Sequence, residues 1–389
     1  MIDYTKILSE TVVGIKPSGI RKFFDIASTM EGVISLGVGE PDFRTPWQIR
    51  SAGIHSLERG RTKYSANRGL EELRQEIAKY VERKYSVSYS PASDILVTVG
   101  GSEAIDAAVR AIVNPGDEVI IPQPSYVCYE PITRLAGGVP VIINTKAEND
   151  FKITPAELLT AITEKTKALI LPYPCNPTGA IMEKEDLEAI AKILRDKNII
   201  VISDEIYAEL TFGATHTSIA SIEGMKERTL LINGFSKTFS MTGWRLGYVC
   251  GPAPILKQIT KIHQFAIMCA PTTSQYAAIE ALRSCDADVE RMKEEYDMRR
   301  KIIVKGFSDI GLECREPKGA FYAFPSIKST GMTSDEFCEK LLYSKRVAIV
   351  PGTAFGDSGE GFVRASYCYS VEHIKEALSR IAEFLREIK

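Results

Sequence analysis

The amino-acid sequence predicts an α/β protein with a large domain, built on a mostly parallel, helix-covered central sheet, and a smaller α+β domain. Short apolar, β-branched runs alternate with helical patterns from about residue 94 to 250, which is typical of a parallel sheet with helices on both faces. After residue 251 the pattern becomes helical and amphipathic. The length of 389 residues and the 44% hydrophobic content allow two domains of ordinary size.

The predicted strands of the large domain are short apolar runs. In chain order they are DILVTV, EVIIP, VPVIIN, KALILPYP, IIVISD, TLLING and RLGYVCG. Helices are predicted near 252–268, 273–284 and 286–309, where charged and apolar residues recur with helical spacing. Ligands of such sheets bind beyond the carboxyl ends of the strands. Residues directly after these runs are therefore candidates for a functional site.

A smaller unit follows these helices. It would contain the strand-like GAFYAFPS and RVAIV, the strand GFVRASY and a terminal helix from about 370 to 387. The residues before about 47 are too few to fold alone, so we expect them to return to this unit. The predicted division is an N-terminal segment that forms part of the small domain (1–46), the large domain (47–285) and the small C-terminal domain (286–389).

The composition excludes several classes of function. The formal net charge is −2 and the basic residues are spread along the chain, so nucleic acid is not an expected partner. No window approaches the roughly 18 apolar residues of a membrane span, and MIDYTKILSE has no apolar targeting region. Eight cysteines without a C-x-x-C pair and four histidines predict no metal site. We expect a soluble, cytoplasmic protein with reduced thiols.

The segment NGFSKTFSMTGWRLGY carries the strongest chemical signal. It places Lys237 eight residues before Arg245 among small, hydroxylated and glycine residues. Upstream, Asn176 lies in PCNPTG, and Asp204 ends the run VISD with Tyr207 one helical turn later. A lysine amine forms a Schiff base with an aldehyde, a carboxylate keeps a pyridine nitrogen protonated, and further donors hold a ring phenolate. This ordered set predicts a pyridoxal 5'-phosphate (PLP) site.

The stretch VTVGGSEAIDAAVRAI predicts a strand, a glycine turn and a helix. Gly100 and Gly101 form the turn, Ser102 lies near the N-cap, and Glu103 is in the first helical turn. A helix start that offers free backbone N–H groups is an anion site. We therefore predict that the cofactor phosphate binds here.

Six motifs in this order resemble the class I aminotransferases of PLP fold type I. They are GEPDF, TKYSANRG, CNPTG, SDEIY, SKTFSMTGWRLG and GFVRASY, and the resemblance covers nearly the whole chain. The motifs NGFSKTF, MTGWRLG and GAFY-FP look closest to the branch that includes aromatic amino acid and N-acetyl-diaminopimelate aminotransferases. The resemblance implies the aminotransferase fold, with the large domain binding PLP.

The resemblance also implies a role for each matching residue around the cofactor ring. Lys237 would form the Schiff base and, once freed by the substrate, move a proton between the substrate Cα and the cofactor. Asp204 would pair with the pyridine nitrogen, and Asn176 and Tyr207 would contact the ring oxygen. Tyr126 in QPSYVCYEP would stack on the ring. Lys237, Asp204 and Tyr207 are thus the predicted catalytic residues.

Phosphate and substrate contacts are implied in the same way. Tyr64 of a second subunit would reach the phosphate, which requires a homodimer. Arg364 would bind the substrate α-carboxylate bidentately, helped by Asn176 and by the backbone of Gly39 in GVGEPDF. The remaining phosphate contacts would come from Gly101, Ser102, Ser236 and Arg245.

The implied reaction is ping-pong transamination between an L-amino acid and a 2-oxo acid such as 2-oxoglutarate, with an aromatic donor favoured. One branch of aspartate transaminases has a lysine where this chain has Ser102, which speaks against an aspartate-specific enzyme. Ile15, Ile20 and Phe24 in GIKPSGIRKFFDIA would wall the pocket for an aromatic side chain. Aspartate or N-acetyl-diaminopimelate transamination are the alternatives.

Two other classes of function remain open on the same fold. A PLP-dependent β-lyase acting on cysteine-type substrates would release pyruvate and ammonia without an oxo acid acceptor. A non-catalytic PLP-binding regulator would show no turnover, but no helix-turn-helix region is appended to this chain. The four histidines, among them His263, lie in no motif, and no catalytic role is predicted for them.

Overall fold

The structure, a computed structural model, describes residues 2–17, 19 and 29–388 of the chain. The strands in this part are β1 (Ile34–Ser35), β2 (Ile95–Thr98), β3 (Glu118–Gln123), β4 (Val139–Asn144), β5 (Thr166–Leu171), β6 (Ile200–Asp204), β7 (Thr229–Gly234), β8 (Gly247–Cys250), β9 (Tyr322–Ala323), β10 (Val347–Ala348), β11 (Val350–Pro351) and β12 (Val363–Ser366). The α-helices of the same residues are α1 (Glu10–Gly14), α2 (Trp47–Glu58), α3 (Glu71–Tyr85), α4 (Gly101–Ile112), α5 (Tyr129–Leu135), α6 (Pro155–Ala161), α7 (Lys184–Leu194), α8 (Ala253–Ala266), α9 (Thr272–Ser284), α10 (Asp286–Asp309), α11 (Ser334–Lys345) and α12 (Val371–Glu387).

The central sheet contains the strands predicted from the seven apolar runs. Its order is β2-β8-β7-β6-β5-β3-β4. β8 is antiparallel to both of its neighbours, and the other pairs are parallel, which confirms the prediction of a mostly parallel sheet. Because β2 lies on the far side of β8, it runs in the same direction as β7. The carboxyl ends of β2, β5, β6 and β7 therefore meet at one edge of the sheet.

Helices cover both faces of the central sheet, and successive side chains along each strand pack against helices on opposite faces. Ile170 and Ile202 belong to a hydrophobic cluster with residues of α4 and α8. Leu169 and Val201, one position away on the same strands, belong to a second cluster with residues of α7. Strands buried on both faces read as continuous apolar runs rather than alternating ones. This explains why the runs were visible in the sequence.

The smaller unit is less regular than the sequence predicts. RVAIV divides at Ile349, so that β10 pairs in parallel with β1 whereas β11 joins an antiparallel sheet of order β11-β12-β9. In GAFYAFPS only Tyr322–Ala323 is a strand. β10 pairs with β1, whereas β9 and β11 both pair with β12, so the pairing depends on segments that are separate in the chain. The helices predicted after residue 251 and at the C-terminus are present as α8, α9, α10 and α12.

The division into 1–46, 47–285 and 286–389 remains our proposal. The parallel pairing of β1 with β10 supports it, because it attaches the N-terminal segment to the smaller unit. The proposed boundary coincides with the start of α10, which packs against α9 on one side and α12 on the other.

Two further observations concern the surface and the thiols. Among the described residues, no helix combines the length and the apolar character that crossing a bilayer requires. All eight cysteines carry free thiols, and five of them are buried: Cys175, Cys250, Cys285, Cys338 and Cys368.

Candidate active site

A cavity of about 290 Å³ lies at the carboxyl edge of the central sheet. Its walls come from the segments that follow β2, β5, β6 and β7, and from β12 of the smaller unit. The structure brings into this one cavity every site residue predicted from the sequence except Tyr64. They are Gly39, Gly101, Ser102, Tyr126, Asn176, Asp204, Tyr207, Ser236, Lys237, Arg245 and Arg364.

Lys237 lies in the loop that follows β7. Its Nζ donates a hydrogen bond of 2.8 Å to the carbonyl of Gly39. Burial, with smaller contributions from Arg364 and Arg245, lowers the pKa of the amine from 10.5 to about 8, although Cys368 and Glu40 oppose the shift. A substantial fraction of the amine is therefore neutral just above physiological pH. A neutral amine can act as a nucleophile or as a base.

Asp204 ends β6 and points into the cavity. Its Oδ2 accepts a hydrogen bond of 2.7 Å from the hydroxyl of Tyr129, and its Oδ1 accepts one of 3.2 Å from the backbone of Ile206. Burial raises the pKa of the carboxyl group even though both hydrogen bonds favour the charged form. Within residues 2–17, 19 and 29–388 no lysine, arginine or histidine forms an ion pair with it. This carboxylate is poised to hold a cation supplied by a ligand.

Tyr129 is a functional residue that sequence reasoning missed. It begins α5, is 2% exposed, and stacks edge to face against Tyr126 with ring centroids 5.9 Å apart. The signal was present in SYVCYE, where the two tyrosines lie one helical turn apart. The contact to Asp204 was invisible, since it joins residues 75 positions apart. We assign Tyr129 the role of positioning the Asp204 carboxylate.

Arg364 lies on β12 and is only 3% exposed. Its Nη1 donates to Oδ1 of Asn176 at 2.8 Å, and its Nη2 donates to the carbonyl of Gly37. The guanidinium sits over the rings of Tyr322 at 4.4 Å and Phe355 at 4.7 Å. Neutral partners hold the arginine without cancelling its charge. The site can therefore bind a carboxylate at this position.

Gly39 permits the close approach of two chain segments. A Cβ atom built at this residue would lie 1.9 Å from the hydroxyl oxygen of Tyr322, so no other residue type fits here without displacing the tyrosine. The Tyr322 hydroxyl in turn lies 2.9 Å from that of Tyr207. Burial raises the pKa of both phenols, so both keep their protons; one proton is shared between the two hydroxyls and the other is left to donate. Tyr322 was not assigned from the sequence, although it lies in the GAFY motif.

The predicted anion site is formed where β2 leads into α4. The N-cap is Gly100 rather than Ser102, because the helix already begins at Gly101. Gly100 has a φ of +80°, and a Cβ built on it would lie 2.8 Å from Nη2 of Arg245. The backbone conformation thus requires glycine, and a side chain here would also displace the guanidinium of Arg245. Gly101 and Ser102, whose N–H groups have no partner within the helix, and Arg245 line the same cavity.

Two other predicted residues among those that the structure describes, Tyr64 and Ile15, do not line this cavity. Tyr64 precedes α3 and is 81% exposed, and it makes no contribution to the lining of this cavity. Ile15 lines a neighbouring groove that shares Tyr126 with the cavity. Ile20 and Phe24 lie outside the described residues. The predicted aromatic wall of the substrate pocket stays a hypothesis.

Comparison with known proteins adds a second line of evidence. A family model described as aminotransferase class I and II matches residues 31–381. The aspartate aminotransferase of Pyrococcus abyssi is 47% identical over 98% of this chain and 99% of that protein. The aromatic-amino-acid aminotransferase 2 of Thermococcus litoralis is 43% identical with the same coverage, 98% and 99%.

A solved structure agrees with this. The aromatic aminotransferase from Pyrococcus horikoshii OT3 superposes with a TM-score of 0.90 and is 44% identical, over 95% of this chain and 99% of that one. Identity to proteins named for aspartate and to proteins named for aromatic amino acids is nearly equal. The comparisons therefore leave the amino donor open.

Proposed function

This chain belongs to the aminotransferases of classes I and II, and from that premise we propose how its residues hold PLP and which amino donor it takes. As an aminotransferase, it transfers an amino group between an amino acid and a 2-oxo acid. One observation supports this assignment of residues most strongly: Lys237, Asp204 and Arg245 line a single cavity. Asp204 comes from the end of β6, and Lys237 and Arg245 come from the segment between β7 and β8.

The residues present fit PLP at three points. The Asp204 carboxylate is buried without a cationic partner among the described residues, which suits a protonated pyridine nitrogen. The Lys237 amine, with its lowered pKa, suits covalent attachment to an aldehyde. The free N–H groups at the start of α4, with Arg245 beside them, suit a phosphate. When bound there, PLP would supply an electron sink for the charge that develops at the substrate Cα.

The protein's own residues would then perform the following steps. Arg364, oriented by Asn176 and Gly37, binds the substrate α-carboxylate in two parallel hydrogen bonds. The freed amine Nζ of Lys237 would accept the proton from the substrate Cα and later give a proton back, as a general base and acid. Asp204, held by Tyr129, keeps the pyridine nitrogen protonated throughout. The hydrogen-bonded hydroxyl pair of Tyr207 and Tyr322 would offer one phenolic donor to the ring oxygen of the cofactor.

We propose an aromatic L-amino acid as the favoured donor. The cations that line the described cavity are Lys237, Arg245 and Arg364, and each already has a role in the scheme above. No further cation lines the cavity to bind the distal carboxylate of aspartate. The position where one branch of aspartate transaminases has a lysine is the neutral Ser102. Val38 and Ile206 add apolar walls, and Tyr126 adds an aromatic one. Aspartate and N-acetyl-diaminopimelate remain the alternative donors.

An absorbance spectrum tests the cofactor, the reaction class and the donor together. The purified protein is mixed with L-phenylalanine, L-aspartate or L-alanine one at a time, without an oxo acid. We expect the band of the aldehyde form to be replaced by the shorter-wavelength band of the amine form, fastest with L-phenylalanine. Fastest conversion by L-aspartate would contradict the aromatic assignment, because that donor requires a second cation.

The same experiment separates the other reaction classes. Release of pyruvate and ammonia from a cysteine-type substrate without an oxo acid would identify a β-lyase. A cofactor band that no amino acid changes would identify a binding protein without turnover. Failure to bind added PLP at all would contradict the assignment of Lys237.

We also propose a cytoplasmic homodimer in which Tyr64 reaches the phosphate of the other subunit. The 81% exposure of Tyr64 supports this. Two further exposed apolar side chains, Phe265 (87%) and Met268 (46%), lie nearby, since Asn67 Nδ2 donates a hydrogen bond of 2.8 Å to the carbonyl of Met268. A Tyr64→Phe variant should bind PLP about tenfold more weakly, since a hydrogen bond to a charged group is lost. Scattered thiols such as the eight cysteines here are typical of a reducing compartment.

A hybrid dimer tests the exchange of Tyr64 between subunits. One chain carries Tyr64→Phe and the other carries Lys237→Ala, so each is impaired as a homodimer. In the hybrid, the site that keeps Lys237 would receive an intact Tyr64 from its partner and regain wild-type cofactor affinity. No regain would show that Tyr64 acts within its own subunit, and an active monomer in ultracentrifugation would contradict the dimer itself.

A further inference from the structure

A partly buried carboxylate and a fully buried histidine form a pair behind the predicted phosphate site. Glu103 is the third residue of α4, and its Oε2 accepts a hydrogen bond from the backbone N–H of Val99. Its Oε1 lies 2.5 Å from Nδ1 of His263 on α8. His263 is fully buried, at 0% exposure. The first turn of α4 is thus tied to the end of β2 and to a helix 160 residues further along the chain.

The histidine ring depends on this contact. Its Nε2 is buried and has no hydrogen-bond partner within the described part of the chain. An unpartnered buried nitrogen lowers stability, whereas an apolar side chain of similar size would leave no polar atom unsatisfied. The advantage of histidine over leucine at this position is therefore the hydrogen bond between Nδ1 and Glu103. We take Nδ1 as the donor and Glu103 as the acceptor.

Glu103 does not make the hydrogen bond that a glutamate at the third helical position usually makes. A glutamate at the third helical position normally accepts from the N–H of the N-cap residue and closes a capping box. Glu157 in α6 and Glu336 in α11 do so, at 2.9 Å from Thr154 N and 3.1 Å from Thr333 N. Glu103 instead accepts from Val99, the residue before the N-cap.

This difference leaves the start of α4 open to an anion. Gly100 has no side chain to cap the helix, Gly101 and Ser102 line the cavity, and Glu103 accepts from Val99 rather than from their N–H groups. A carboxylate free to swing towards those groups would compete for the same positive end of the helix and repel a phosphate. Holding Glu103 in place therefore matters most for a ligand with a phosphate.

We propose that His263 is a positioning residue that holds Glu103 against Val99 and away from Gly101 and Ser102, so that it sets the affinity for the cofactor phosphate. The inference rests on the proposed function in one respect, which is that the phosphate of PLP binds at the start of α4. His263 itself touches neither the cofactor nor the substrate. Its effect passes through Glu103.

Cofactor titration of a His263→Leu variant tests this. Full-length protein is freed of bound cofactor and titrated with PLP, with phosphate-free pyridoxal, and with inorganic phosphate as a competitor of PLP. We expect the Kd for PLP to rise about tenfold, as for the loss of a hydrogen bond to a charged group. The Kd for pyridoxal should not change, and inorganic phosphate should compete less well. A general loss of structure would weaken both cofactors equally.

Two control variants separate positioning from packing. His263→Asn places an amide donor near the site of Nδ1 and should restore the affinity for PLP. His373 on α12 also has a buried Nε2 without a partner in the described residues, but lies outside the cavity. His373→Leu should therefore leave both Kd values unchanged.

The Glu103→Gln variant keeps the proposal testable if His263→Leu fails to fold. Its side chain retains the size and an acceptor for Val99 but has no charge, so affinity for PLP should be kept or increased. In that background His263→Leu should have little further effect, because the two residues act as one unit. A tenfold weaker binding of PLP by Glu103→Gln, or equal losses for PLP and pyridoxal in His263→Leu, would overturn the proposal. A wild-type protein that binds no PLP would instead refute the proposed function.

Discussion

Replacing Lys237 with alanine is expected to lower kcat for transamination by at least about 10³-fold, within the range that a positioned acid–base group contributes. The variant should still bind PLP through the start of α4, Arg245 and Asp204, but without covalent attachment. Rapid-mixing spectra with L-phenylalanine would measure the amino half-reaction directly. Lys257→Ala serves as the control, since Lys257 lies on the exposed face of α8 outside the cavity.

The pH dependence of the wild-type protein gives a second test of Lys237. Burial lowers the pKa of this amine from 10.5 to about 8, so the neutral form grows as pH rises through 8. The rate at which added PLP attaches should rise with pH and level off above about 8. An exposed lysine would show the rise more than two pH units higher, which would contradict a buried amine.

The same shift affects the stability of the cofactor-free protein. Unfolded Lys237 binds its proton more tightly than folded Lys237, so the unfolded state holds more protons between pH 8 and 10.5. Stability should therefore increase through that interval, and the contribution should be absent in Lys237→Ala. Thermal melts of both proteins at matched pH values would measure it.

Asp204→Asn is expected to lower kcat by about 10²- to 10³-fold, as removal of a preorganised charge does in other active sites. An amide in the place of the carboxylate cannot hold the pyridine nitrogen in its protonated form, so the chemical step should suffer more than PLP binding. Single-turnover rates and the Kd for PLP, measured on the same preparation, separate the two effects. A kcat within a few fold of wild type would show that Asp204 does not pair with the cofactor.

Tyr129→Phe is the matched comparison for Asp204→Asn. It removes the hydrogen bond of 2.7 Å to Oδ2 but leaves the carboxylate and the aromatic ring in place. The expected loss in kcat is about tenfold or less, the value of one hydrogen bond to a charged group. If the two variants lost equal activity, the tyrosine would have to do more than position the carboxylate.

Much of the site could be predicted because its residues follow strands. Asn176 comes after β5, Asp204 ends β6, Lys237 follows β7, and Gly101 follows β2. Parallel strands end at a common edge, so order along the chain was enough to bring these residues together. The smaller unit could be predicted less well. RVAIV is one apolar run, yet it divides between two sheets because its first part pairs with β1 and its last part with β12.

The sequence by itself therefore determined the fold class, the family and the edge of the sheet where the site lies, since these depend on local periodicity and on short motifs. Only the tertiary structure decided which side chains support the site. The hydrogen bonds of Tyr129 to Asp204, of Arg364 to Asn176 and of His263 to Glu103 join residues 75, 188 and 160 positions apart. Such contacts leave no periodic signal, because they depend on how whole helices and strands pack against each other rather than on the residues next to them in the chain.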